Sequence, residues 1–75
     1  MRMLISKEDA LTMKNEPMNV SVWSNKYGHQ VLMNVPMNEN MYIKYAVSCA
    51  DEQEAKAFAA LFTNRVPCGH FHVIA

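Results

Sequence analysis

The chain has 75 residues, with seven Lys plus Arg balanced by seven Asp plus Glu, two glycines and three prolines. This length admits a single domain, residues 1–75, that hides only about 60% of its unfolded surface, and a hydrophobic fraction of 51% is too high for a disordered chain. Zero net charge with acids and bases interspersed excludes a general polyanion binder, a basic membrane anchor and an acidic DNA mimic.

The apolar run Met3-Leu4-Ile5 is too short for a leader or a membrane span. The two cysteines, Cys49 and Cys68, therefore read as reduced thiols of a cytoplasmic protein. Ser6 followed by Glu8 and Asp9 predicts a capped helix over residues 7–14, with Ala10, Leu11 and Met13 as its apolar side, stopped before Pro17. Met18, Val20 and Val22 alternate with Asn19, Ser21 and Trp23 in a first strand, and residues 24–29 form a turn. Val31, Met33 and Val35 mark a second strand, residues 36–40 a turn, and residues 42–48 a third strand. After Ser48 the period changes from two to 3.6, with apolar residues at Ala55, Phe58, Ala59 and Phe62. Asp51 and Glu54 have the spacing of a capping box at the start of this second helix. Residues 70–75 read as a short last strand, with Phe71 and Val73 on one face. The expected fold is α+β, in the order α-β-β-β-α-β. It comprises an antiparallel three-stranded meander, a helix packed on the sheet and a short fourth strand reached by a crossover.

Two sets of residues could carry function. Trp23, Leu32 and Tyr42 fall on the strand face opposite Val22, Val31, Met33 and Ile43. With Lys26, Tyr27 and His29 at the hairpin tip, and with Lys44, they form a protein-binding surface if the first helix leaves that face open. Cys68, His70 and His72 share one face of a strand at spacing two, and with Cys49 they form a Cys/His set that would suit zinc. No cofactor motif, oxyanion hole or third catalytic group accompanies Cys68, so an enzyme is not expected. Of the seven methionines, Met18, Met33 and Met41 fit core positions.

The layout of a helix, three strands and a helix, with the run Glu54-Ala55-Lys56-Ala57-Phe58-Ala59-Ala60-Leu61, resembles double-stranded RNA-binding domains. That family grips phosphates with bases at the start of its last helix, where this chain has Asp51, Glu52 and Glu54. The resemblance therefore implies the architecture and not the RNA binding. The segment from Ala50 through Glu54-Ala55 to Val66-Pro67-Cys68-Gly69-His70-Phe71-His72-Val73 resembles the strand-helix-strand half of small bacteriophage host-takeover proteins. It implies binding rather than chemistry, and the start at Met1 agrees with such a protein. The resulting expectation is a non-enzymatic module, encoded by a phage or mobile element, that sterically blocks a host enzyme complex such as the transcription machinery or a CRISPR-type antiviral nuclease. No cofactor is expected and direct nucleic-acid binding is disfavoured. An uncovered face or edge also allows a homodimer. A small metal-binding regulatory domain is the alternative.

Overall fold

The computed structural model describes residues 2–67 and 72–74. Seven elements follow in order: β1 (Met3–Leu4), α1 (Lys7–Leu11), β2 (Asn19–Asn25), β3 (Gly28–Pro36), β4 (Met41–Cys49), α2 (Glu52–Ala59) and β5 (His72–Val73).

The three alternating segments pair as an antiparallel meander. β2 pairs with β3 from Asn19↔Asn34 to Asn25↔Gly28, and β3 pairs with β4 from His29↔Cys49 to Pro36↔Tyr42. The first turn is shorter than the sequence suggests, with only Lys26 and Tyr27 outside the ladder. The reason is local: the Asn25 side chain accepts a hydrogen bond from the Tyr27 N–H at 2.8 Å, an Asx turn that reverses the chain at once.

Two short strands extend the sheet beyond β4, giving the order β1-β4-β3-β2 with β5 also on β4. Both are parallel to β4: β5 lies beside Met41 and Tyr42, and β1 beside Tyr45 and Ala46. The Ile5 N–H donates to the Ala46 carbonyl at 2.9 Å and the Ile74 N–H to that of Tyr42 at 3.0 Å. The last strand expected from the sequence is thus present as β5, while β1 is an addition. Its two residues carry no periodic signal and are strand only because β4 supplies partners. On the opposite edge, the Met18 N–H donates to the Asn64 carbonyl, and the Val66 N–H to the Met18 carbonyl, both at 3.0 Å.

Both helices begin as their caps dictate. The Ser6 hydroxyl accepts from the Asp9 N–H at 3.0 Å, and the Asp51 carboxylate from the Glu54 N–H at 2.7 Å. Glu54 reaches back to the N–H of Ala50 at 3.1 Å, which completes a capping box displaced by one residue. α1 stops at Leu11, short of the expected residue 14, because Thr12 closes it by donating to the Asp9 carbonyl at 2.6 Å. α2 ends at Ala59, where the Leu61 and Phe62 N–H groups turn back to the Phe58 and Ala59 carbonyls. That tightening still delivers Phe62 to the core, 1% exposed and edge-to-face with Phe58 at 5.4 Å between ring centres.

The core decides the layering. Ala10 of α1 and Ala55, Phe58 and Phe62 around α2 belong to one buried cluster with Val31, Met33 and Val47. Those three strand residues share a sheet face by parity and register. Both helices therefore cover the same face, and an ion pair from Lys7 to Glu54 joins them. Met18 and Met33 are fully buried as expected, whereas Met41 is exposed at the edge of β4.

Candidate functional site

With α1 and α2 on one side, the other side of the sheet is uncovered by any helix among the described residues. Register arranges it in rows across β2, β3 and β4. The first row is Trp23, Gln30 and Ser48; the second is Ser21, Leu32 and Ala46, with Leu4 beyond Ala46 on β1. Asn19, Asn34 and Lys44 form the third, and Pro36 and Tyr42 the fourth. Trp23, Leu32 and Tyr42 thus share one face, the arrangement that the strand parity implied.

The structure also spreads these residues out. Tyr42 and the Trp23 row are six residues apart along β4, about 20 Å at the usual strand rise. The two aromatic groups stand at opposite ends of the face, with Leu32 between them. Trp23 is 36% exposed, its ring lies over Gly28, and the Arg2 guanidinium sits 5.8 Å from the ring centre. Arg2 also donates to the Gln30 side chain at 2.7 Å, so it lies over this face without being neutralised. Leu4 is largely exposed and Leu32 half-buried. Asn34 donates to the Asn19 side chain at 3.2 Å, and among the described residues its own buried Oδ1 accepts nothing. At the hairpin tip Tyr27 is 81% exposed, with the Lys26 ammonium 5.0 Å from its ring centre.

The acids are confined to the helices and loops. The five strands contain no Asp or Glu. Glu8, Asp9, Asp51, Glu52 and Glu54 lie in or at the start of the two helices, and Glu16 and Glu39 in connecting loops. Arg2 and Lys44 lie on the open face and Lys26 at its rim. The open face therefore carries cations and no acids, whereas the helix side carries both signs, with Lys7 paired to Glu54 and Lys56 to Glu52. Composition alone could not reveal this, because the face without acids is assembled only when the strands pair.

His29 departs from the expectation of a tip residue. By register it faces the helices with Ser24 and Cys49, half-buried, and its Nδ1 shares a 2.5 Å hydrogen bond with the Ser24 hydroxyl. The two-residue turn is the cause: it brings His29 into the ladder and sets its parity. His29 is therefore not part of the open face. Burial pushes the neighbouring Cys49 thiol above its ordinary pKa, with Lys7 opposing the shift and Asp51 adding to it.

Of the proposed metal ligands, Cys68 and His70 lie outside the described residues, and of His72 only the strand placement is described. β5 sets His72 beside Met41, whereas Cys49 ends β4. Eight residues of strand, about 26 Å, separate these positions, so one ion cannot take both as ligands. Among the described residues no group of three His, Cys, Asp or Glu could hold a metal ion, and no helix is long and apolar enough to cross a membrane.

Comparisons with protein-family models, curated proteins and solved structures return no match to this chain.

Proposed function

We propose that this protein is a non-enzymatic binding module that docks its open sheet face, together with the hairpin tip, on a partner protein. The observation that carries this reading is the placement of both helices on one side of the sheet, which leaves Trp23, Leu32 and Tyr42 on a face without acids. Large side chains that are partly exposed within a polar surround are the usual anchors of protein interfaces. Trp23, Tyr27 and Tyr42 supply such anchors. Lys26, Lys44 and Arg2 favour a target surface with acidic groups. The mechanism is steric: a rigid sheet occupies the target's working surface. A phage or mobile-element inhibitor of a host enzyme complex, either the transcription machinery or a CRISPR-type antiviral nuclease, fits a binding module of this size. That assignment rests on the sequence resemblance.

The test is retention of a stoichiometric partner from a bacterial lysate at about 0.3 M salt, where weak charge contacts are screened. Trp23→Ala and Tyr27→Ala should each weaken retention by about 30-fold, the measure of a binding hot spot, while circular dichroism stays that of the parent. Lys56→Ala on the helix side should leave retention unchanged. If both aromatic variants bind as well as the parent, the docking face is elsewhere.

A further inference from the structure

We propose that the outer edge of β2 is a self-association edge, on which β2 of a second copy pairs antiparallel about a two-fold axis at Trp23. This goes beyond the docking reading and uses the sheet's rim, with Trp23 the one anchor residue shared with the docking face.

Backbone direction along β2 follows from its first contact. The N–H and the carbonyl of Met18 both point away from β3, to Asn64 and Val66. Strand period two then points Val20, Val22 and Ser24 outward as well, while Asn19, Ser21, Trp23 and Asn25 face β3. The Arg65 guanidinium covers the first of these outward groups, donating to the Val20 carbonyl at 3.4 Å. The backbone groups of Val22 and Ser24 have no backbone partner among the described residues. At the far edge of the sheet, β1 and β5 occupy β4. Exposed edges are normally guarded by a charge, a proline or a bulge. β2 reads Asn-Val-Ser-Val-Trp-Ser-Asn and its register to β3 is unbroken, so the strand itself carries none of these guards, and the Arg65 charge sits at Val20, short of Val22 and Ser24.

A second copy meets these outward groups with the same groups and brings its own tryptophan to the centre of the strand, so a second copy is the occupant. A two-fold axis at Trp23 sets Val22 opposite Ser24 of the second copy, and the reverse, forming about four backbone hydrogen bonds. Trp23 then faces Trp23 of the second copy across a non-hydrogen-bonded site. There Cα atoms approach to about 4.5 Å and cross-strand aromatic pairs are most favourable. Ser21 meets Asn25, so β2 opposes no like charges, and Arg65 keeps its bond to Val20. Lys26 of one copy comes level with Val20 of the other, beside Arg65. Added salt, by screening these two cations, should strengthen the pairing. A peptide strand from another protein could satisfy the backbone but would not bring the second indole.

Sedimentation equilibrium and the fluorescence of Trp23, the single tryptophan, test this between about 10 µM and 1 mM, a range suited to weak dimers. The expected result is a mass rising towards that of two chains, with a tryptophan spectral change over the same range that sharpens at higher salt. Val22→Pro removes an outward N–H that β3 does not use, and should leave a folded monomer. Trp23→Ala should weaken association about tenfold and decides the matter if the proline variant does not fold. A chain that stays monomeric throughout overturns the proposal. So does a dimer that survives Trp23→Ala unchanged, or one dissolved by salt. Loss of lysate binding in Tyr27→Ala, a turn residue outside the ladder, with dimerisation intact would bear on the docking face alone and leave the edge pairing standing.

Discussion

Phe62→Ala tests the layering on which the open face depends. Phe62 is 1% exposed and packs edge-to-face on Phe58 beneath the sheet. Truncating a buried phenylalanine costs about 3–5 kcal/mol, because the cavity collapses only in part. At about 0.05–0.15 kcal/mol per residue, a chain this long has roughly 4–11 kcal/mol of total stability. Phe62→Ala therefore removes between about a quarter and all of it, and unfolding is the expected outcome at the lower end of the stability range. Phe62→Leu, which keeps most of the volume, gives the graded measurement. It should cost about 1–1.5 kcal/mol. For a domain of this size that is a fall in Tm of about 5–10 °C, followed by circular dichroism on heating. Tyr27→Ala, at an 81% exposed position, should stay within about 0.5 kcal/mol of the parent in the same assay. A cost below about 1 kcal/mol for Phe62→Ala would mean that the ring does not lie under Val31, Met33 and Val47. The assignment of the opposite face as open would then fail with it.

Three further outcomes follow from particular contacts. Asp51→Ala removes the acceptor of the Glu54 N–H and should cost about 1 kcal/mol by urea denaturation, with Asp51→Asn recovering most of it; equal losses in both would discount the cap. Arg65→Met keeps the apolar stem but loses donors to the Ala59 and Phe62 carbonyls at 2.8 and 3.0 Å. It should destabilise by about 1–2 kcal/mol, reduced by partial solvation, and an unchanged urea midpoint would show that water replaces the guanidinium at no cost. Cys49, its pKa raised by burial, should be alkylated more slowly than a free thiol at mildly alkaline pH, as read by peptide mass mapping. Because the folded state favours the neutral thiol, this group's contribution to stability is present below the ordinary thiol pKa and is lost as pH rises through the folded value. Alkylation as fast as that of a model peptide would contradict that environment.

The strands and helices were legible because each carries its own period. Val20, Val31, Met33, Val35 and Val47 mark one strand face at spacing two, Ala55, Phe58, Ala59 and Phe62 mark one helix face, and Ser6 and Asp51 mark the helix starts. These are local signals: side-chain direction follows from backbone geometry, and an unfilled helix-end amide recruits the nearest oxygen. The grouping of Trp23 with Leu32 and Tyr42 was legible for the same reason, since parity needs no knowledge of the rest of the fold.

Other features were settled only by contacts between distant residues. Which side of the sheet α1 covers depends on whether Ala10 joins Phe58 and Phe62 or crosses to Leu32, and the first helix's pattern fits both sides. Its choice of the side already occupied by α2 left the other face without a helix among the described residues. Met3 and Leu4 become a strand only beside Tyr45 and Ala46, and the position of β5 beside Met41 parted His72 from Cys49. His29 turned towards the helices because a two-residue turn, shorter than the polar stretch around it, fixed its parity. The sequence by itself determined the elements and their inner faces, which arise from neighbours along the chain. The tertiary structure decided which faces and edges stay exposed, because exposure is a relation between segments far apart in sequence.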